Sequence, residues 1–220
     1  MKALFVNGSP RKNWNTHRML ESAARGAAQA GAETELVHLY DMAFKGCVSC
    51  FACKLKGSRT NGLCAFRDPL TPVLEKARAA DVILIGSPEY FSYPTGPVRS
   101  FLERLLFPAL AYKTEDRRVL KKNVPCAMIY TMNCPTEVME KVNYPELLSP
   151  NERALEMLFG YCETQYACDT MQFADYSRYD VTMFDPAHKA KHREEQFPVD
   201  LQNAFELGAR LVRKAGELNQ

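Results

Sequence analysis

LFVNGSPRKNWNT, from Leu4 to Thr16, is an apolar run that passes into a polar loop and then into the start of a predicted helix. The apolar run, Ala3 to Val6, shows no alternation of polar and apolar residues, which is typical of a central strand in a parallel sheet covered on both faces. The loop brings hydroxyl, amide and guanidinium groups to a helix start. Free backbone N–H groups and the helix dipole favour an anion there.

The composition of this loop indicates which kind of phosphate it would bind. Gly8 is its single glycine, and neither G-x-G-x-x-G nor G-x-x-x-x-G-K-[ST] occurs after the strand. A pyrophosphate needs several glycines so that the backbone can approach it, whereas a loop rich in hydroxyls suits a terminal monophosphate. An ordinary strand–turn–helix with polar turn residues is the alternative. The candidate phosphate ligands are Ser9, Arg11, Asn15 and Thr16.

Length and composition favour one globular domain, residues 1–220, with 46% hydrophobic and 25% charged residues. A net charge of +2 predicts neither a nucleic-acid nor a membrane partner. No apolar stretch approaches the roughly 18 residues of a membrane span. At the N-terminus, Lys2 is followed by only the apolar run Ala3–Val6, which is too short for a signal peptide. We therefore expect a cytoplasmic protein, in which eight cysteines indicate metal binding, redox chemistry or burial rather than disulfides.

Strands and helices alternate along the chain, which predicts a parallel sheet with helices on both faces. The predicted strands are Lys2–Asn7, Glu33–Leu39, Val82–Gly86, Cys126–Thr131 and Gln165–Phe173. The predicted helices run from Thr16 to Ala30, from an Asp68-Pro69 start to Ala80, through Val98 to Leu105, and through Leu201 to Ala215. Segments 40–67, 132–150 and 174–197 have no predicted element. Five such strands predict a doubly wound sheet of order 2-1-3-4-5, with a ligand at the carboxyl ends of strands 1 and 3.

A second loop of interest follows the third strand, where Gly86 to Pro97 include the aromatic residues Tyr90, Phe91 and Tyr93. A flat heteroaromatic ring could stack on these side chains, and backbone groups of the loop could contact its edge. The alternative is that the aromatic residues belong to the core or to a subunit interface. A monophosphate on the first loop and a flat ring on the second together describe FMN.

Three segments resemble the flavodoxin-like family of NAD(P)H-dependent FMN reductases, over residues 1 to about 135. Asn7–Arg11 is similar to the family's phosphate signature, Gly86–Phe91 to its flavin-ring loop, and Arg99–Arg104 to the helix that follows. The resemblance implies a flavodoxin-like, three-layer, doubly wound five-stranded parallel sheet, bound FMN, NAD(P)H as co-substrate, and a homodimer or homotetramer. Trp14 departs from the family, in which this position is usually small.

The resemblance also implies the cofactor-binding residues. Ser9, Arg11, Asn15 and Thr16 would hold the phosphate; Pro88, Glu89, Tyr90 and Phe91 would hold the ring, largely through the main chain; Thr131, Met132 and Asn133 form the third ligand loop. No acid–base side chain is required, so no catalytic residue is predicted. The segment from Phe107 to Tyr112 is a candidate subunit contact, and packing at a helix end is its alternative.

A cysteine run, C-x2-C-x2-C-x10-C, is formed by Cys47, Cys50, Cys53 and Cys64. It resembles the iron–sulfur flavoproteins, a branch of the same family in which cysteines bind a [4Fe–4S] cluster. The first three spacings suit a cluster, but the fourth is longer than in compact cluster motifs. Zinc, or thiols that act as small hydrophobic residues, are the alternatives. His188 and His192, spaced i, i+4 among cations, are interpreted as a solvated basic segment.

The preferred hypothesis is an FMN-dependent oxidoreductase that passes electrons from NAD(P)H through FMN to a quinone, another small acceptor or a protein. One alternative is an iron–sulfur flavoprotein that carries electrons without a nicotinamide step. Another is a protein that binds flavin without turnover.

Overall fold

The predicted alternation of strands and helices is present in the computed structural model, which describes residues 1–220. The strands are β1 (Lys2–Asn7), β2 (Glu33–His38), β3 (Val82–Tyr90), β4 (Tyr93–Pro94), β5 (Cys126–Thr131) and β6 (Cys162–Ala167). The helices are α1 (Asn15–Gln29), α2 (Thr71–Ala79), α3 (Gly96–Ala109), α4 (Thr136–Val142), α5 (Tyr144–Phe159), α6 (Pro186–Glu195) and α7 (Phe197–Leu218). No helix combines the length and the apolar character that crossing a bilayer requires.

The sheet has the order β2-β1-β3-β5-β6, and all of these neighbours pair in parallel. The two-residue strand β4 lies off this path and pairs antiparallel with the end of β3. If β4 is left out and the other five strands are numbered in chain order, the sheet has the predicted order 2-1-3-4-5. The flavodoxin-like fold expected from the sequence is therefore confirmed.

Both faces of the central strands are buried, and their side chains alternate between two cores. Leu4, Val6 and Ile83 belong to the core that is covered by α2, α3 and α5. Phe5 and Leu84 belong to the core on the opposite face, covered by α1 and α7. This double coverage explains why β1 and β3 are continuous apolar runs.

Helices α1 and α7 approach each other at two glycines. A Cβ atom added to Gly26 would lie 1.8 Å from the Phe205 carbonyl oxygen, and one added to Gly208 would lie 1.9 Å from the Ala23 carbonyl oxygen. The two backbones are therefore in direct contact, which fixes the position of α1 and of the loop that precedes it.

Three predicted boundaries are wrong. Strand β3 continues past Gly86 to Tyr90. The fifth strand of the parallel sheet is Cys162–Ala167 and not 165–173, because it pairs in register with β5 from Cys126 to Thr131 and ends with it. Helix α2 begins at Thr71 rather than after Asp68. The Asp68 carboxylate accepts a hydrogen bond from the Leu70 N–H (3.0 Å) and forms an ion pair with the buried Arg104.

Candidate functional site

A cleft opens at the carboxyl edge of the sheet, between the loops that follow β1, β3, β5 and β6. Its lining residues are Ser9, Arg11, Trp14, Asn15, Thr16, Pro88, Glu89, Tyr90, Thr131, Met132, Asn133, Thr170, Met171 and Gln172. The structure thus brings together every sequence-predicted cofactor residue except Phe91. The cleft lies at the switch point of the doubly wound sheet, where such folds bind their ligands.

The loop after β1 is held in shape by its own polar groups. The Ser9 N–H donates to Asn7 Oδ1 (2.8 Å), and the Arg11 N–H donates to Ser9 Oγ (3.1 Å). The Gly8 N–H donates to the Gly86 carbonyl at 2.8 Å. A Cβ atom at Gly8 would lie 1.9 Å from Val98 Cγ2, so a larger residue would displace the loop.

The N-terminus of α1 faces this loop with unused donors. The first hydrogen bond of the helix runs from the Arg18 N–H to the Trp14 carbonyl (2.9 Å), so the N–H groups of Asn15, Thr16 and His17 lie outside its ladder. Trp14, at the cap position, makes no side-chain cap bond, and the first turn has no acidic residue. This helix end therefore favours an anion.

Residues 168–173, here called the β6 loop, close one side of the cleft. Trp14 Nε1 and Asn15 Nδ2 donate to the Met171 carbonyl at 3.1 and 2.9 Å. Arg11 donates to the Gln172 carbonyl and lies 5.1 Å from the Trp14 ring centre. Trp14 thus joins the two loops that flank the candidate phosphate position.

The cleft residues Thr170, Met171 and Gln172 were not expected from the sequence. The predicted fifth strand continued to Phe173, so these residues were assigned to the sheet. A signal was available, because the residues after the last strand lie at the same carboxyl edge as the other ligand loops.

Residues 86–97, the candidate ring segment that includes the end of β3, are joined by hydrogen bonds to the loop after β1. The Thr95 N–H donates to Ser87 Oγ (2.9 Å), and Thr95 Oγ1 donates to the Gly8 carbonyl (2.8 Å). Phe91 and Ser92 have positive φ angles of 52° and 68° at the turn between β3 and β4. Tyr90 is half exposed on the cleft, whereas the Phe91 side chain is 95% exposed and lies outside the cleft lining. Phe91 is thus the one predicted cofactor residue that the structure does not bring to the cleft.

The loop after β5 completes the cleft. Thr131 Oγ1 and Thr16 Oγ1 are 2.7 Å apart, which joins this loop to α1. Asn133 Nδ2 donates to Gln172 Oε1 (3.0 Å). Burial, with a contribution from Cys168, raises the pKa of the nearby Cys134 thiol to about 11, so this group is a thiol at neutral pH.

The cysteine run forms a second candidate site beside α3. Cys47, Cys50, Cys53 and Cys64 line one pocket with Glu103 and Arg104. None of the four is in a disulfide. The Cys47 N–H donates to Glu103 Oε2 (3.0 Å), which fixes the start of the run on α3.

The backbone between these cysteines is unusual. Ser49 and Phe51 alternate with the cysteines and have positive φ angles of 51° and 55°. Positive φ angles are uncommon at residues other than glycine, and they occur in the backbone concavities of many iron–sulfur sites. Burial raises the pKa of the Cys53 thiol, and the Lys54 ammonium opposes that shift.

The segment from Phe107 to Tyr112 packs within its own chain. The Phe107 ring contacts the rings of Phe51 and Tyr112, each at 5.9 Å between centres. Lys54 donates to the carbonyls of Phe107 and Leu110. This segment therefore supports the cysteine run, and Tyr112 remains 68% exposed.

The interpretation of His188 and His192 as part of a solvated basic segment is only partly correct, because the segment also contains a buried ion pair. Lys189, between them in sequence, is 2% exposed and forms an ion pair with Asp169. Asp169 is itself buried, which opposes ionisation, but hydrogen bonds from Lys189 and His188 lower its pKa. Lys189 therefore packs into the protein, whereas His188 and Lys191 remain exposed to solvent.

Comparison with known sequences agrees with this geometry. The profile of a family described as NADPH-dependent FMN reductase matches residues 1–133. An iron–sulfur flavoprotein of Archaeoglobus fulgidus is 43% identical over 104 residues, which are 47% of this chain and 48% of the relative. One of Methanocaldococcus jannaschii is 33% identical over 104 residues, which are 47% of this chain and 51% of the relative. The chain spans about half the length of the curated relatives it matches.

Solved structures with the same fold cover nearly the whole chain. The NAD(P)H:quinone oxidoreductase from Methanothermobacter marburgensis superimposes with a TM-score of 0.67 at 17% identity, over 96% of this chain and 98% of that one. A flavone reductase superimposes with a TM-score of 0.60 at 17% identity, over 100% of this chain and 65% of that one. At 17% sequence identity, the structural similarity shows a shared fold.

Proposed function

This chain belongs to the family of NADPH-dependent FMN reductases, and on that premise we propose that it is an FMN-dependent oxidoreductase that uses NAD(P)H. The observation that carries the proposal is the cleft at the switch point, where the candidate phosphate loop and the candidate ring segment meet. The electron acceptor is a quinone, another small molecule or a protein.

The phosphate of FMN would bind at the N-terminus of α1. Ser9 and Thr16 supply hydroxyl groups, Asn15 supplies an amide, and Arg11 supplies a guanidinium that can bind two phosphate oxygens. The N–H groups at the helix start are without partners in the helix ladder, and no carboxylate in the first turn competes for them. These features support a monophosphate rather than a pyrophosphate.

The flavin ring would lie between the end of β3 and the segment at the end of β5. Pro88, Glu89 and Tyr90 line one side of the cleft, and Thr131 to Asn133 line the other. FMN, when bound, would supply the redox chemistry that takes a hydride from NAD(P)H and passes the electrons on to the acceptor. The protein would position the cofactor and determine how NAD(P)H and the acceptor reach it. We assign no acid–base residue.

Steady-state oxidation of NAD(P)H tests this proposal. Purified protein loaded with FMN should oxidise NADH or NADPH in the presence of a generic quinone, and the rate should depend on bound FMN. A protein that binds FMN but does not accelerate NAD(P)H oxidation with any acceptor would instead be a non-catalytic flavin-binding protein.

The cysteine pocket favours a second candidate function, an iron–sulfur flavoprotein that carries electrons between protein partners. The donor set suits a [4Fe–4S] cluster, because Cys47, Cys50, Cys53 and Cys64 all line one pocket and none is in a disulfide. Lys54 and Arg104 lie beside these thiols and would offset the charge of a thiolate-bound group.

Iron and acid-labile sulfide analysis after anaerobic purification distinguishes these candidates. An iron–sulfur flavoprotein should contain four of each per chain, as a [4Fe–4S] cluster requires. Conversion of Cys50, the exposed member of the run, to serine should lower both contents together. Absence of iron and sulfide from anaerobic protein would rule out the cluster and leave the FMN proposal intact.

We also propose a homodimer or homotetramer in the cytoplasm. Eight unpaired cysteines support a reducing compartment. The exposed aromatic residues Tyr90, Phe91 and Tyr93 at the rim of the cleft support a subunit contact there. Light scattering after size exclusion measures the assembly, and a monomer at all concentrations would contradict it.

A further inference from the structure

Two histidines and a carboxylate converge outside the cleft, where α6 packs against the β6 loop. Asp169 Oδ2 lies 2.5 Å from His188 Nε2 and 3.6 Å from His192 Nδ1. One potential ligand atom from each of the three residues lies within 4.8 Å of the other two. His188 and His192 are one helical turn apart, which places both rings on the same side of α6.

The contact of His192 Nε2 determines which nitrogen of this ring is available to bind a cation. His192 Nε2 lies 3.2 Å from the Cys168 carbonyl, and a carbonyl oxygen can only accept a hydrogen bond. In the neutral ring, Nε2 therefore carries the proton, and Nδ1 directs a lone pair towards Asp169 Oδ2. Two acceptors that face each other are stabilised by a cation between them. A backbone carbonyl on the outer nitrogen is also the usual environment of a metal-binding histidine.

Lys189 sets the orientation of the carboxylate. Its ammonium pairs with Asp169 Oδ1 and donates to the Asn133 carbonyl at 2.6 Å. This arrangement leaves Asp169 Oδ2 for the two histidines. The positive charge of Lys189 opposes a second cation, so the affinity of the cluster should be lower than that of a site without this lysine.

We propose that Asp169, His188 and His192 bind a divalent transition-metal ion of the Zn²⁺ type. Two imidazole nitrogens and one carboxylate oxygen suit Zn²⁺ and Co²⁺, and three protein ligands leave a position for water. Ligand atoms about 2.0–2.1 Å from Zn²⁺ are roughly 3.3 Å apart in a tetrahedron, so His188 must retreat by less than about 1 Å. Its side chain is 58% exposed, which allows this movement and gives the ion access.

The site would connect α6 to the β6 loop. Asp169 precedes Thr170, Met171 and Gln172, which line the cleft. A bound ion would hold this loop in its present position. The metal site itself does not depend on the proposed FMN chemistry, because its ligands lie outside the cleft lining.

Cobalt binding to the full chain tests this inference, because the cysteines can be distinguished spectroscopically. Protein treated with a chelator is titrated with Co²⁺, and absorption separates ions bound by thiolates, which give sulfur-to-cobalt charge-transfer bands, from ions bound by nitrogen and oxygen. The variants are His188→Gln and His192→Gln. Lys191→Gln, an exposed position on the same helix, is the matched control.

The wild-type chain and Lys191→Gln should bind one Co²⁺ without charge-transfer bands, and Zn²⁺ should displace it. Each histidine variant should bind this ion at least about 100-fold more weakly, since even loss of an outer partner costs 10–100-fold. If all bound Co²⁺ shows thiolate bands, or if the thiolate-free ion persists in both variants, the inference is wrong. Should His192→Gln fail to fold, the half-exposed His188→Gln decides the outcome.

Discussion

Arg11 is the single cationic side chain among the residues that line the cleft. It donates to the Gln172 carbonyl and stacks near the Trp14 ring, so it is already held at the candidate phosphate position. Charge-assisted hydrogen bonds to phosphate are among the strongest polar contacts in proteins. Much of the affinity for a phosphorylated cofactor should therefore depend on this residue.

Arg11→Ala should weaken FMN binding about 10- to 100-fold, because a hydrogen bond to a charged group is worth about 1.5–3 kcal/mol. Fluorescence titration measures the dissociation constant. Lys12→Ala is the control: Lys12 forms an exposed ion pair with Asp41 (2.7 Å), and such pairs contribute little. Equal losses in the two variants would mean that net charge, and not the position of Arg11, attracts the cofactor.

Glu152 makes the free energy of unfolding depend on pH. Neither of its buried carboxyl oxygens has a hydrogen bond of good geometry, although the Tyr130 hydroxyl and Thr164 lie beside it. Burial raises its pKa above the ordinary value. The folded chain therefore holds this proton at pH values where the unfolded chain has lost it, and stability falls as pH rises between the unfolded and folded pKa values.

Glu152→Gln should remove this loss and raise the free energy of unfolding by about 1 kcal/mol above the folded pKa. Urea denaturation at about pH 5 and about pH 8 measures the difference. Glu156→Gln changes an exposed residue of the same helix and should leave the pH dependence unchanged. If the free energy of unfolding of Glu152→Gln changed between the two pH values as much as that of the wild type, Glu152 would not be the source of this pH dependence.

At the scale of elements, the contact between α1 and α7 depends on two glycines. A methyl group at Gly26 would overlap the backbone of Phe205. Gly26→Ala should lower the free energy of unfolding by about 1–3 kcal/mol, despite the better helix propensity of alanine. Gly216→Ala is the matched control in α7, since its methyl group would lie 3.6 Å from Met1 Cε, an ordinary contact. Equal stabilities of the two variants would show that the helices can separate at little cost.

Helix α6 contacts the first residue of α1 through Arg193. Its guanidinium donates to Asn15 Oδ1 (2.6 Å) and lies 3.8 Å from the Phe197 ring centre. Burial and the charge of Arg18 lower its pKa to about 10, so it remains protonated at neutral pH. This contact orients the Asn15 amide towards the β6 loop.

Arg193→Lys keeps the charge and removes the planar contact, so FMN affinity should fall roughly tenfold. Calorimetric titration of the two proteins compares the dissociation constants. Arg213→Lys, on the exposed face of α7, should bind FMN as the wild type does. An unchanged affinity in Arg193→Lys would mean that Asn15 is positioned without α6.

Much of the fold could be predicted because the central strands are buried on both faces. The apolar runs at Ala3–Val6 and Val82–Ile85 indicate parallel strands, and the chain order of the elements then indicates the switch point. Helices α4, α5 and α6 were not predicted. Helix α6 has few apolar residues, and polar contacts of Lys189 and Arg193 attach it to the rest of the protein. The spacing of apolar residues therefore does not indicate this helix.

The candidate site was predictable where a loop follows a recognisable strand. The loops after β1, β3 and β5 follow apolar runs, whereas β6 (CETQYA) is only partly buried and its end is not marked in the sequence. The cluster of Asp169 with His188 and His192 could not be predicted, because its members come from the β6 loop and from α6, which only tertiary contacts bring together. The spacing of residues along the chain does not show which distant elements contact each other.

At the scale of the whole molecule, the account rests on a cofactor phosphate bound at the N-terminus of α1. Titration of the purified protein with FMN and with riboflavin, which lacks the phosphate, tests this claim most directly. FMN should bind at least about 100-fold more tightly than riboflavin, because at least two charge-assisted hydrogen bonds are lost without the phosphate. Equal affinities, or no binding of FMN, would contradict the account.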